Sequence, residues 1–343
     1  MIRCLDFEGR FLAPNPAHGF SLADYWVWDA SVIRDDAGLY HLFASRWPRA
    51  YSMHPGWVFK AEIIRATSSE LYGPYHFEEV VFSERGAEYW DGKATFNPCV
   101  RRVGNRYLLF YTGTTYPLDG VRPEDARSED HHYRMAQLNK RIGLAIAETP
   151  AGPWQRPDHP LLQTRPGHFD SALISNPAPW VHADGSVLLL YKTRTLTAGE
   201  WSAQKLGAAR AAHYGREYVR VVEQPLTLSS ASEIEDPHLW WQEDHYELLA
   251  KDMTGRITGE KNAALHAYSL DGIAWALCDP PKAYSRSIRW ADGTTQRLGS
   301  LERPFLYLEN GVARCLFAAS GDGTVGFSDA RRTWVTAIPL RSE

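Results

Sequence analysis

One layout recurs five times along this chain and narrows what it can fold into. Glu235-Asp236-Pro237-His238-Leu239-Trp240-Trp241 leads through a polar turn to Tyr246-Glu247-Leu248-Leu249-Ala250. Trp28-Asp29-Ala30-Ser31-Val32-Ile33 leads in the same way to Tyr40-His41-Leu42-Phe43-Ala44. Phe96-Asn97-Pro98-Cys99-Val100 leads to Tyr107-Leu108-Leu109-Phe110-Tyr111, and Ser175-Asn176-Pro177-Ala178-Pro179 to Val187-Leu188-Leu189-Leu190-Tyr191. The last copy runs from Glu302-Arg303-Pro304-Phe305-Leu306 to Val312-Ala313-Arg314-Cys315-Leu316-Phe317. Aligned on Asp29, Asn97, Asn176, Asp236 and Arg303, the copies fall 68, 79, 60 and 67 residues apart.

Each copy reads as a hairpin: two β-branched or aromatic runs broken by Asp-Gly, Asn-Gly or Gly-Asn turns. Further short strands lie between copies, for example 62–66 with 75–82 and 264–268 with 275–277. Five repeats of four strands predict an all-β fold, a five-bladed β-propeller with four antiparallel strands per blade. One domain then spans 1–343, with blades near 25–82, 93–160, 172–228, 233–284 and 298–340. The strand at 334–340 is expected to complete the fifth blade, and residues 1–23 to close the ring or lie across it. No long amphipathic pattern argues for an α/β alternative.

A net charge of −4 gives no electrostatic reason to expect nucleic acid or an anionic membrane as partner. No apolar stretch approaches the roughly 20 residues that span a bilayer. The start lacks the pattern of a secretory signal, and Cys4, Cys99, Cys278 and Cys315 form no CxxC pair. The reading is therefore reduced thiols in a cytoplasmic protein, with self-association left open. The chain is rich in aromatics, with 13 Trp, 17 Tyr and 13 Phe. These residue types fill β cores and also stack on sugar rings.

In a propeller, equivalent positions of the innermost strands converge on the axis. Asp29, Asn97, Asn176, Glu235-Asp236 and Glu302-Arg303 should meet there. A lone Asp or Asn before proline is an ordinary turn starter, but five in register point to a polar pocket. Opposed carboxylates in such a pocket suit glycosyl transfer to water, one group protonated and the other ionised. Trp28, Arg46, Trp47, Trp90, Phe96, Lys251 and Lys261 are candidate rim residues, and their cations leave room for an acidic sugar. Asp91 precedes Asn97 as Asp170 precedes Asn176, so the two are equivalent, serving either substrate binding or a repeated turn. The loop 115–140, with Asp119, Glu124, Asp125, Glu129, Asp130, His131 and His132, reads equally as functional rim or as disordered segment. Adjacent histidines lack zinc-site spacing, so no metal is expected there, with an oxygen-ligated ion on the axis left open. No cofactor is expected, since the chain has no phosphate-cradling Gly loop, no GxSxG elbow and no redox cysteine pair.

Trp28-Asp29-Ala30-Ser31-Val32-Ile33 with Tyr40-His41-Leu42-Phe43 resembles the first-blade motif of five-bladed-propeller glycoside hydrolases. This group includes family 43 arabinosidases and xylosidases, family 117 anhydrogalactosidases and the fructosidases. Glu235-Asp236-Pro237-His238-Leu239-Trp240 resembles their fourth-blade motif, and bacterial proteins labelled "sucrase" are also similar. The resemblance implies an inverting hydrolase that removes a terminal sugar from a small oligosaccharide, with Asp29 as general base and Glu235 as general acid. It departs where the third-blade aspartate that orients the acid is matched by Asn176, for which Asp170 could substitute. In family 117 a histidine near the fourth-blade motif acts as the acid, and His238 matches it. Asn97, Asn176, Asp236, Lys251, Glu302 and Arg303, with Trp28, Arg46 and Asp91, complete the expected substrate contacts. The alternatives are a glycan lyase or phosphorylase on the same scaffold, and a propeller that binds glycans without chemistry.

Overall fold

A computed structural model describes residues 2, 4–117, 120–228 and 233–341, so Asp119 of the polar loop lies outside the described residues. Five antiparallel sheets follow one another along the chain, each a simple meander. The first blade is Tyr25–Arg34, Tyr40–Pro48, Glu62–Ser68 and His76–Phe82. The third is Leu173–Val181, Val187–Arg194, Lys205–Ala211 and Val219–Arg220, and the fourth Ile234–Gln242, His245–Asp252, Ala263–Ser269 and Ala276–Tyr284. Each innermost strand packs against that of the next blade, and the fifth packs back on the first, so the ring closes as a five-bladed propeller. Strands between blades are covered on both faces, which explains runs such as Val187-Leu188-Leu189-Leu190-Tyr191 that show no alternation.

The second and fifth blades have three strands where four were expected. They are Ala94–Val103, Arg106–Thr114 and Arg141–Ala147, and Ser300–Glu309, Val312–Gly321 and Thr333–Pro339. Single bridges replace the missing outer strands, Gln155 on Ile146 and Phe20 on Val335. The second bridge shows how the ring is fastened. Phe20 exchanges backbone hydrogen bonds with Val335 of the fifth blade, while the neighbouring Gly19 bonds Tyr72 and Tyr75 at the edge of the first. Gly19 has φ of +80°, and a Cβ there would lie 1.9 Å from the Val335 carbonyl oxygen, so only glycine fits this clasp.

The same N-terminal segment overturns one expectation. Cys4 and Cys278 form a disulfide, with Cα atoms 6.1 Å apart, while Cys99 and Cys315 are free and buried. Sequence spacing could not reveal a pair 274 residues apart. It exists because residues 4–11 return along the fourth and fifth blades. Disulfides persist in oxidising compartments, so the cytoplasmic reading loses the support of reduced cysteines. Among the described residues no helix is long and apolar enough to cross a membrane.

Candidate active site

The five in-register residues share one backbone distortion. Asp29, Asn97, Asn176, Asp236 and Arg303 have φ between +53° and +63°. Each sits in a bulge where the innermost strand loses register with its neighbour, between Trp28 and Ser31 in the first blade and at the matching place in the other four. Proline is excluded from the middle of a central strand but accepted at a bulge, which is why Pro98, Pro177, Pro237 and Pro304 can follow the distorted residues. A left-handed non-glycine residue costs on the order of 1–3 kcal/mol. Repeated in every blade, that strain is retained because it turns consecutive side chains, such as Glu235 with Asp236 and Glu302 with Arg303, into one axial cavity.

That cavity holds about 90 Å³ and is polar at its base. Asp29, buried to 2% exposure, has both oxygens fully engaged. Oδ1 accepts from Arg303 Nε at 2.5 Å and from Asn97 Nδ2 at 3.1 Å. Oδ2 accepts from the Ser45 hydroxyl at 2.5 Å and the Asn97 backbone N–H at 2.9 Å. Arg303 also donates to Asp236 at 3.0 Å, where Asn176 Nδ2 adds a bond of 2.7 Å. Lys251 sits among three carboxylates, 2.8 Å from Glu302, 3.0 Å from Glu235 and 3.5 Å from Asp236. Lys192 pairs with the other oxygen of Glu235 at 2.5 Å. Asn97 Oδ1 is buried without a hydrogen-bond partner, as is Trp47 Nε1 in the wall, so the cavity keeps one spare acceptor and one spare donor.

Four carboxyl groups therefore face three cations, leaving one carboxyl in excess. Burial alone would raise the pKa of Glu235, but Lys192 and Lys251 outweigh it and hold the group well below the usual carboxylate range. Glu302 goes the other way. Burial raises it, and the nearby Asp236 and Glu235 charges add to that, against the pull of Lys251. Of these two, Glu302 is the carboxyl that keeps a proton the more readily, and with it neutral the cavity charges balance. Each of the three cations that line the cavity is matched by a carboxylate, so none of these is spare for the carboxylate of an acidic sugar. Lys140, which has no carboxylate partner among the described residues, lies behind Trp57 and Phe96.

Above the base the walls are apolar: Trp28, Trp47, Met53, Trp57, Phe96 and Phe327. Met53 and Trp57 come from the short helix Met53–Lys60, part of the long aromatic loop after the first hairpin. The helix His131–Leu138 in the polar loop packs behind it, so within its described residues that loop serves as rim support. Phe327 contacts Trp28 and His54 edge-on at 5.9 and 5.8 Å and adds to the apolar wall.

Several expected site residues lie elsewhere. Arg46 pairs with Glu62 at 2.8 Å and covers the rings of Tyr25 and Phe77. Trp90 stacks on Tyr111. Asp91 and Asp170 are equivalent, as their spacing suggested, but both are fully buried in structural clamps between blade elements. Asp91 accepts from Arg85 at 2.8 Å, Arg156 at 2.7 Å and Tyr111 at 2.6 Å. Asp170 accepts from Arg165 at 3.0 Å, Arg220 at 2.5 Å and Tyr191 at 3.1 Å. Each tyrosine ring lies across a glycine of the third strand, Gly143 or Gly207, where a Cβ would come within 2.9 Å of the ring.

His238 is buried beside Phe305 and Trp240, outside the cavity, and its Nε2 accepts the Leu306 backbone N–H at 3.0 Å. Ser31 accepts the Val100 N–H at 3.1 Å from the equivalent position of the first blade. Both are staples from one blade to the next. Burial and the neighbouring Arg101 hold the His238 pKa well below its ordinary value, so the ring is a neutral acceptor. Its stabilising bond is complete above the unfolded-state value of about 6.5 and is lost as pH falls. His238→Ala should lower stability by about 1–3 kcal/mol by leaving the Leu306 N–H unpaired. Urea midpoints should show this loss, and the drop in midpoint below pH ~6.5 should be smaller in His238→Gln.

Sequence reasoning missed Lys192 and Ser45. The signal was available in the second strands. Ser45, Thr112, Lys192 and Lys251 occupy matching register positions, opposite Trp28, Phe96, Ser175 and Glu235. Each hands a polar group to the innermost strand of the following blade, at Asn97, Asn176, Glu235 and Glu302 respectively.

No protein-family model matches the sequence, and no curated relative does. Solved structures do. Zg3597, a family 117 glycoside hydrolase from the marine bacterium Zobellia galactanivorans, superposes with a TM-score of 0.65 at 14% identity, over 95% of this chain and 89% of that one. A thermostable family 43 glycoside hydrolase gives 0.61 at 12% identity, over 97% and 96%. The endo-arabinase of Bacteroides thetaiotaomicron gives 0.57 at 14%, over 95% and 98%. The chain has their five-bladed fold. At such identities the likeness is one of architecture, and the chemistry has to be argued from the cavity itself.

Proposed function

We propose that the protein is a glycoside hydrolase that removes a neutral terminal sugar from a small oligosaccharide at the axial cavity. The observation that carries this reading is the convergence, through five equivalent bulges, of four carboxyl groups under aromatic walls. The hydrolases of similar fold support it. Trp28, Trp57 and Phe327 offer apolar faces for a sugar ring, and Asn97 Oδ1 is an acceptor for a sugar hydroxyl. At about 90 Å³, the cavity is smaller than the 300 Å³ or so at the low end of ligand sites. Phe327, a half-buried loop residue whose ring meets Trp28 and His54 edge-on, is the residue that moves aside.

Asp29 acts as general base. Its contact with Ser45 is the one that yields to the attacking water, because a hydroxyl rotates whereas Arg303 and the Asn97 backbone are fixed. The proton for the leaving oxygen resides on Glu302. Glu235, the acid implied by resemblance, is kept ionised by two lysines, and Lys251 connects it to Glu302. Environments that push neighbouring carboxyl pKa values apart divide acid from ionised partner in this way. The expected stereochemistry is inversion, read from the first anomer released.

Leaving-group dependence tests the assignment. Glu302→Gln should slow oligosaccharide cleavage by about 10²–10⁴-fold. A dinitrophenyl glycoside needs no protonation on departure, so on that substrate the loss should stay below about tenfold. Since Glu302 acts protonated, wild-type activity should fall as pH rises through its raised pKa, and Glu302→Gln should lack that limb. If Glu235→Gln shows this pattern and Glu302→Gln does not, the proton belongs to Glu235.

A further inference from the structure

Far from the axial cavity, at the outer edge of the fourth blade, a second cluster of chemically competent side chains has no part in the proposed hydrolysis. The sulfurs of Cys4 and Cys278 and one ring nitrogen of His266 all lie within 4.8 Å of one another, the only such group of three among the described residues. A structural disulfide has no need of the arrangement around it. His266 is 3% exposed, and its Nε2 lies 2.5 Å from Glu247 Oε2. Glu247 is fully buried and is fixed in turn by His245 at 3.2 Å and by the Leu5 backbone N–H at 3.1 Å. Burying a carboxylate and two imidazoles in the two middle strands of the blade is costly unless each is paired. The pairing here has a consequence for the ring: with Nε2–H donated to Glu247, Nδ1 carries the lone pair. A carboxylate that fixes the tautomer of a ligating histidine is the usual outer shell of a zinc ligand.

We propose that in the reduced protein Cys4, Cys278 and His266 form a binding site for a zinc-class divalent cation, and that the disulfide is the oxidised, metal-free state of the same side chains. The donor set of two thiolates and one imidazole suits a tetrahedral d¹⁰ cation. Metal–sulfur bonds of about 2.3 Å and metal–nitrogen bonds of about 2.0 Å place tetrahedral donors roughly 3.5–3.8 Å apart. The present donors reach that spacing by opening the sulfur–sulfur bond, with the blade left in place. A cavity of about 590 Å³ bordered by all three residues provides the entry path and room for water as a fourth ligand.

The chemistry balances with a dithiol as reductant. Two electrons cleave the Cys4–Cys278 bond while the reductant becomes a disulfide, and cation binding then releases the two thiol protons to solvent. Either state ties the N-terminal segment to the fourth blade, and the metal state does so where the disulfide would be reduced.

Cobalt(II) is the probe. Full-length protein would be reduced with a dithiol, freed of reductant under anaerobic conditions and titrated with cobalt(II), then with zinc. The expected result is one equivalent bound with thiolate-to-cobalt charge-transfer absorption, bleached by zinc and absent from reoxidised protein. Cys278→Ser should weaken binding by about 100-fold or more, and Glu247→Gln by about 10–100-fold. A Cys99→Ser, Cys315→Ser double variant should bind as the wild type does. Circular dichroism checks folding, and Cys4→Ser, in the terminal segment, replaces Cys278→Ser if that variant misfolds. Absence of the thiolate signal in reduced wild type overturns the proposal, as does a signal that survives loss of Cys4 or Cys278.

Discussion

Asp29→Asn should reduce kcat/KM for glycoside cleavage by about 10²–10⁴-fold, the usual contribution of a positioned base, with the loss in kcat. The substitution is nearly isosteric but not silent in the fold. Asn97 and Ser45 both donate to Oδ2 of Asp29. An amide nitrogen at that position would face the Asn97 N–H donor to donor, at about 1–3 kcal/mol. The variant should therefore unfold at somewhat lower urea concentration yet remain folded at assay temperature. Because Arg303 keeps its bond to Asp236, the base of the cavity should retain its shape. Binding of a non-hydrolysed substrate analogue should then stay within about tenfold of wild type. Activity at the wild-type level in a folded Asp29→Asn protein contradicts the role given to Asp29.

The second large effect is on stability. Asp170→Asn should destabilise the protein by about 3–5 kcal/mol, the cost of breaking a buried ion pair from one side. Arg165 and Arg220 would be left facing each other beside a neutral amide, with Tyr191 losing its anionic acceptor. Asp91→Asn should behave alike, since Arg85, Arg156 and Tyr111 repeat the clamp in the second blade. In both variants the folded fraction should turn over substrate within a few-fold of wild type. A large fall in kcat at unchanged urea midpoint would instead mean that Asp170 orients a catalytic group across the blade.

These two aspartates show what one dimension can and cannot reveal. Their equivalence was readable, because Trp90-Asp91 and Phe169-Asp170 stand at the same distance from Asn97 and Asn176. Their purpose was not, because the arginines that engage them lie up to 65 residues away. The hairpins and the ring were legible for the opposite reason: strand pairs joined by short turns are local, and repetition multiplies a weak signal fivefold. Convergence of Asp29, Asn97, Asn176, Asp236 and Arg303 followed from that symmetry alone. The histidine of the fourth-blade motif misled, since its neighbour Phe305 and the Leu306 N–H it accepts come from the next blade. The proline after four of the five axial residues was an unread clue, because in the middle of a central strand it demands a bulge. The disulfide was invisible for want of any local trace.

Lys192 marks the border between the two cases. Its register position matches Lys251, which sequence reasoning did single out, and both meet Glu235. Only the inter-blade geometry shows that these lysines are fully used by carboxylates, and so shifts the expected substrate from an acidic to a neutral sugar. A uronate-terminated oligosaccharide should accordingly be a poorer substrate than its neutral counterpart.

The most direct test of the central claim is a product assay. Purified wild-type protein and Asp29→Asn would be incubated with a panel of neutral aryl glycosides and oligosaccharides, and the products separated by chromatography. Release of one monosaccharide by wild type, reduced by at least ~10²-fold in the variant, is the predicted result. Equal release by both proteins, or no release by folded wild type from any member of the panel, contradicts a hydrolytic site at the propeller axis.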